Sequence, residues 1–239
     1  MLVSVITVMY QPILKELKET LDSIMSQNFD DFELILQDGG TNDDEFIKLI
    51  NSYVESYHNI NFESKKDSGI YDAMNRASSR SSGEYLVFIN VGDLFFNNYS
   101  LMNASLNFLN RPDLVAYLNV AYGDPSRYSI IKQKKISKII IRNLCHQSYF
   151  LKRSLCVFNV GYKLAADFDL LLNLFHKDIS VTYVDDVISY YKPGGVSDEN
   201  KVSVYFQILK SISKSKNVNL HYKIINVLFY IVRIFREKI

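Results

Sequence analysis

Cysteine is nearly absent: the 239 residues hold two, Cys145 and Cys156, and neither belongs to a CxxC pair. That excludes a disulfide-stapled fold and fits a reducing compartment, with both thiols read as inert and buried. Net charge is nearly absent too, since 27 Lys and Arg against 26 Asp and Glu leave +1. Such a balance excludes strong general attraction to nucleic acid. Long apolar runs are missing. The stretch Ile224 to Phe235 is interrupted by Asn226 and Arg233, and a bilayer span needs about 20 apolar residues. No internal repeat, low-complexity tract or linker divides the chain. One absence is local: from Pro125 to Ala166 there is no Asp or Glu, while Arg127, Lys132, Lys134, Lys135, Lys138, Arg142, Lys152, Arg153 and Lys163 fall inside. That block is either a solvated face or a surface attractive to diphosphates.

What is present is alternation. Leu2 to Met9 reads as a strand rich in β-branched residues, and it explains the apolar start better than a secretion signal does. Pro12 opens a helix carrying Ile13, Leu17, Leu21, Ile24 and Met25 at helical spacing. Phe32 to Gln37 is a second strand. A helix with Phe46, Ile47, Leu49, Ile50, Tyr53 and Val54 facing inward follows, then a strand at Ile60 to Phe62 and a helix from Ile70 to Arg80. Tyr85 to Asn90 is the fourth strand, and Tyr99 to Leu109 the next helix. Beyond these the pattern predicts strands at Leu114 to Ala121 and Val181 to Val184, a helix at Asp167 to Phe175, and helix past Lys201. Apolar strands alternating with amphipathic helices predict an α/β fold whose mostly parallel central sheet is covered on both faces. Ligands of such sheets bind beyond the carboxyl ends of the strands. The turns holding Tyr10, Asp38, Asp67 and Asp93 lie there.

Six segments in order carry a resemblance: VSVITVMYQ (3–11), QDGGTNDD (37–44), KDSGIYDAMNRA (66–77), GEYLVFINVGDLFF (83–96), CHQSYFLKRSL (145–155) and YKLAADFDLLL (162–172). Together they resemble the family 2 glycosyltransferases, in the bacterial branch that builds surface polysaccharides. The resemblance implies a GT-A fold, with a catalytic domain over residues 1–200 (a nucleotide-binding half at 1–110, an acceptor half at 111–200) and a helical C-terminal extension at 201–239. It also implies inverting transfer of a sugar, a hexose or N-acetylhexosamine, from a nucleotide diphosphate, most simply a UDP-sugar, to a hydroxyl of a lipid-linked oligosaccharide.

The same resemblance assigns residues. Thr7 and Tyr10 would line the base pocket, Gly39, Asn90 and Gly92 would also contact the nucleotide sugar, Asp38 would accept from the uracil imide, and Asp67 would meet the base or ribose. Asp72 and Asn75, three apart on one helix face, would support them. Asp93 would hold Mn2+ or Mg2+, since hard oxygen ligands suit either ion. In the family this turn often carries several acids, whereas Asn90 and Gly92 stand beside Asp93 here. Asp167 would be the general base that takes the acceptor proton, without the acidic neighbour that Ala166 replaces. His146 and Gln147, with Lys152 and Arg153 as further candidates, would face the diphosphate or the acceptor.

Read singly, Asp38 is a turn residue and Asp93 and Asp167 are helix caps. The missing acids keep a rival open: a catalytically inactive sugar-nucleotide-binding protein that retains the fold. A nucleotidyltransferase fits less well, because MYQPILKELK lacks a glycine-rich basic loop after the first strand. The cationic, amphipathic end of the chain, with Lys223, Arg233, Arg236 and Lys238 around its apolar residues, predicts a protein in the cytoplasm that lies peripherally on an anionic membrane surface. The alternative is ordinary packing or a homodimer contact.

Overall fold

The computed structural model describes residues 1–109, 115–133, 146–175, 179–216 and 218–237. Strand β1 (Val3–Met9), helix α1 (Leu14–Met25), β2 (Phe32–Asp38), α2 (Asp44–Ser56), β3 (Ile60–Ser64), α3 (Ile70–Arg80) and β4 (Tyr85–Phe88) alternate as the pattern predicts. After them come β5 (Leu94–Phe95), α4 (Ser100–Leu109), β6 (Val115–Asp124), β7 (Arg127–Ile131), a 3-10 turn at His146–Ser148, and β8 (Tyr149–Lys152). A second 3-10 turn (Arg153–Leu155), α5 (Ala166–Phe175), β9 (Val181–Tyr191), α6 (Val196–Glu199), α7 (Lys201–Lys214) and α8 (Leu220–Glu237) complete the chain.

Burial explains the layers. Along β1, Val3, Val5 and Met9 enter one apolar cluster with Leu17, Leu21 and Ile24 of α1 and Phe46, Ile50 and Tyr53 of α2. Ile6 and Val8 enter the opposite cluster with Tyr71, Met74 and Ala77 of α3 and Leu170, Leu171 and Leu174 of α5. Successive side chains of a strand point to opposite faces, so one strand feeds two cores. In α2 the buried stripe is narrower than expected. Ile47 and Val54, predicted to face inward, are exposed, because each lies about 100° around the axis from its buried neighbour Phe46 or Tyr53. Ile13, at the N-cap of α1, is exposed as well.

The sheet runs β3-β2-β1-β4-β8-β6-β9-β5, with β7 paired to β6. Strands β3, β2, β1 and β4 are mutually parallel, so their carboxyl ends share one edge. Beyond them the sheet is mixed: β8 is antiparallel to β4 and to β6, β6 is parallel to β9, and β5 is antiparallel to β9. Strand β9 extends seven residues past the predicted Val184. The register against β6 shifts around Asn119, and this bulge absorbs the polar Asp185 and Asp186. Asp185 Oδ1 accepts from Asn119 Nδ2 at 3.0 Å and from the Tyr183 hydroxyl at 2.9 Å.

Helices α7 and α8 pack on α5 through a third cluster of Ala165, Phe168, Leu172, Val204, Ile208, Ile212 and Tyr230. Lys134, Lys135, Lys138, Arg142 and Cys145 of the basic block, and Leu114 of the predicted strand, lie outside the described residues.

Candidate active site

At the shared carboxyl edge the loops after β1, β2 and β3 converge. Gly39 N donates to the Met9 carbonyl at 2.9 Å, and Lys65 N to the Asp38 carbonyl at 2.9 Å. A Cβ on Gly39 would stand 2.9 Å from Asp67 Oδ2 and 3.2 Å from Tyr10 Cδ2. Gly39 therefore lies close against both Tyr10 and Asp67, and Tyr10 is 62% exposed. The glycine is the condition for that approach. Asp67 Oδ1 accepts from Gly69 N at 2.9 Å.

Four expected residues point elsewhere. The Thr7 hydroxyl is fully buried and donates to the Ile89 carbonyl at 2.7 Å, so it ties β1 to the chain after β4. Asp38, expected to meet a uracil imide, is also fully buried. Its Oδ2 accepts from Gly40 N (3.0 Å), Thr41 N (2.7 Å) and Ser64 Oγ (2.6 Å), and its Oδ1 from Thr41 Oγ1 (2.6 Å). Three donors on Oδ2 and one on Oδ1 take up most of the acceptor sites of a carboxylate, and through them Asp38 shapes the loop. Asp72 accepts from Ser68 N at 2.9 Å and pairs with Arg76 at 3.1 Å; these bonds, the Ser68 amide foremost, hold its carboxyl below the usual range. Asn75 clamps the Phe158 backbone, donating to its carbonyl at 2.9 Å and accepting from its amide at 2.8 Å.

The second group forms a continuous chain of contacts. Asp93 follows the Asn90–Gly92 turn, in which Gly92 has φ +94°, a left-handed conformation that favours glycine. Its carboxylate is almost fully buried. Gln147 Nε2 donates to Oδ2 and Lys192 N to Oδ1 at 3.1 Å, while the Thr20 hydroxyl donates to the Asp93 carbonyl at 3.0 Å. Burial pushes its pKa up to about 6 against the lowering pull of those bonds. Beside Gln147, the His146 ring has Asn90 Nδ2 at 2.7 Å from Nε2 and Asp167 Oδ2 at 3.7 Å from Nδ1. Asp167 Oδ1 accepts from the Tyr71 hydroxyl at 3.1 Å. Burial first, then the Asp167 charge, raises the Tyr71 pKa well above its ordinary value, so that hydroxyl keeps its proton as a donor. Tyr71 was not singled out from sequence, although it sits inside the GIYDAMN segment. Asp169 faces the other way and accepts from Ser211 of α7.

Lys152 and Arg153, the further candidates, stand at the opposite edge of the sheet. Lys152 is paired with Tyr85 at the amino end of β4 and forms an ion pair with Glu84, and Arg153 Nε donates to the Gly83 carbonyl at 3.1 Å. Strand β8 runs antiparallel to β4, so the residues after it leave the ligand edge as those before it enter it.

The donors present do not fit a divalent cation. Asn90 and Gly92 carry no carboxylate, both oxygens of Asp93 have protein donors, and among the described residues no three His, Cys, Asp or Glu side chains converge.

Comparison with known proteins agrees with this architecture. The chain is 31% identical over 192 residues to a PGL/p-HBAD biosynthesis glycosyltransferase of Mycobacterium bovis BCG, an alignment that covers 74% of this chain and 72% of the relative. Among solved structures, Staphylococcus aureus TarS 1-349 in complex with UDP superposes with a TM-score of 0.75 at 19% identity, covering 99% of this chain and 72% of that one. The mannosyltransferase PcManGT of Pyrobaculum calidifontis, in complex with GDP-Man and Mn2+, gives 0.71 at 14% identity, covering 97% and 69%. The profile described as glycosyl transferase family 2 matches residues 4–175, a span that holds Tyr10, Gly39, Asp67, Asp93, His146, Gln147 and Asp167, with Lys192 beyond it. With that span and the mycobacterial relative in agreement, the chain belongs to glycosyltransferase family 2.

Proposed function

We propose that this glycosyltransferase moves a sugar from a UDP-sugar to a hydroxyl of a lipid-linked oligosaccharide, with inversion, in bacterial surface polysaccharide synthesis. The observation that carries the reading is the bridge between two loops. His146 and Gln147, adjacent in one 3-10 turn, reach Asp167 on one side and Asp93 on the other. A group at Asp167 and a leaving group at the Asn90–Asp93 turn would thus share one cleft. Asp167 takes the acceptor proton as the acceptor oxygen bonds to the anomeric carbon, and the bond from that carbon to the diphosphate breaks to release UDP. Tyr71 and His146 position the base. Tyr10, Gly39 and Asp67 receive the nucleoside. Asn90 Oδ1 is buried without a donor among the described residues, and it accepts from a donor-sugar hydroxyl.

The TarS complex with UDP supports the nucleotide, and the mycobacterial relative, by its name, supports a biosynthetic glycosyl transfer. The Mn2+ or Mg2+ expected at Asp93 enters no step, for the reason given by its donors. The acceptor's location is supported by α8. Leu220, Ile224, Leu228, Val232 and Phe235 are exposed along it, a stripe matching an anionic membrane surface.

The test is Asp167→Asn, which keeps an acceptor for the Tyr71 hydroxyl but removes the base. Transfer and donor hydrolysis, read as UDP release, should fall by about a hundredfold or more, with UDP affinity unchanged. A variant that turns over at the wild-type rate would sink the assignment. A wild-type protein that binds UDP and releases none from any UDP-sugar would instead be the inactive binder.

A further inference from the structure

A donor diphosphate brings concentrated negative charge to a turn whose one acid, Asp93, has both oxygens taken by protein donors. The structure shows what stands there instead. A Cβ on Gly92 would meet Lys192 Cδ at 3.2 Å and Glu16 Oε2 at 3.2 Å, so the lysine stem and the Glu16 carboxylate crowd the space directly beside position 92. Lys192 is delivered there by the length of β9. The bulge carries that strand on to Tyr191, Leu94 of β5 pairs with Tyr190, and Lys192 N closes on Asp93 Oδ1 at 3.1 Å. Its ammonium projects over Gly92 to Glu16, with Nζ 2.5 Å from Oε1. The side chain is 48% exposed, so a ligand can reach it.

We infer that Lys192 supplies the positive charge that meets the donor diphosphate, and that donor binding by this chain does not require a divalent metal. The inference rests on the donor reading above. Glu16 parks the ammonium between turnovers. A diphosphate carries more charge than one carboxylate, and an ammonium on a four-carbon stem swings readily between them as a point charge. Glu16 left behind is in the first turn of α1, where the helix dipole favours an anion. The exchange therefore strands no uncompensated charge.

The experiment titrates the full chain with UDP and with uridine by calorimetry, in EDTA and again in MnCl2. The UDP dissociation constant should agree between the two buffers within about threefold, less than 1 kcal/mol. Lys192→Met should weaken UDP by about tenfold or more in EDTA, about 1.4 kcal/mol, while uridine binds as before. Lys192→Arg should retain UDP binding, and Glu16→Gln, which frees the ammonium, should tighten it. UDP binding that appears only with Mn2+, or a Lys192→Met protein that binds UDP like the wild type, overturns the inference. If Lys192→Met does not fold, Glu16→Gln decides: unchanged UDP affinity overturns it. Failure of both uridine and UDP in either buffer is a different result, which removes the donor reading and this inference together.

Discussion

Asp93 shows what burial does to a single residue. Its folded pKa of about 6 stands above the ordinary aspartate value, so between about pH 4 and 6 the folded protein holds a proton that the unfolded chain has released. Stability therefore declines as pH rises through that window and stays lower above it. Asp93→Asn removes the ionisation while Gln147 can turn its amide to match. The expected outcome is a higher thermal midpoint for the variant at pH 8, by up to about 3 kcal/mol of stability, with the gap closing below pH 4. A variant less stable at pH 8 would mean that the bonds from Gln147 and Lys192 outweigh desolvation. At this scale the sequence is legible in part. His146, next to Gln147, lies 3.7 Å from Asp167, and Gly39 lies close to Tyr10 and Asp67. Thr7, Asp38, Asp72 and Asn75 belong to the same motifs, but each bonds within the protein, since a short polar side chain near backbone groups is readily captured by them.

Among elements, the Asn75 clamp governs how α3 meets the segment entering α5. It satisfies both backbone groups of buried Phe158, nine residues before Asp167. Asn75→Ala leaves an amide and a carbonyl without partners, costing about 3 kcal/mol, or about 10 °C in melting temperature for a chain of this size. Calorimetry checks this, and an unchanged midpoint would mean that solvent replaces the clamp. The first-half elements were readable because their apolar periods are strong and their turns short. Strands β5, β7 and β8 were not singled out. β5 is two residues long, β7 is exposed along its length, and β8 lies within a segment read for its chemistry. The continuation of β9 depends on its bulge, which becomes visible when Asn119 of the neighbouring strand meets Asp185.

For the whole molecule, the decisive feature is the orientation of α8. Asn226, Tyr230 and Ile234 face the protein, while Ile224, Leu228, Ile231 and Phe235 face outward, with Arg233 and Arg236 exposed beside them. No helix among the described residues is long and apolar enough to cross a membrane. An outward apolar stripe flanked by cations suits the interface of an anionic bilayer. The protein should co-sediment with vesicles containing phosphatidylglycerol, more weakly with phosphatidylcholine alone, and less as salt rises. Leu228→Glu combined with Phe235→Glu should abolish binding. A wild-type protein that stays in the supernatant but elutes as a dimer, and a double variant that elutes as a monomer, would assign this face to a homodimer.

The sequence by itself determined the alternation of the first half, the edge at which its loops gather, and the family, because these follow from periodicity and from motifs a few residues long. Only the tertiary structure decided which carboxylates remain open to a ligand, that Lys192 lies across Gly92, and that the apolar side of α8 faces away from the core. Each depends on which distant segments fill the space around a side chain, and that is settled by packing, where hydrogen-bond capacity and volume can be used once.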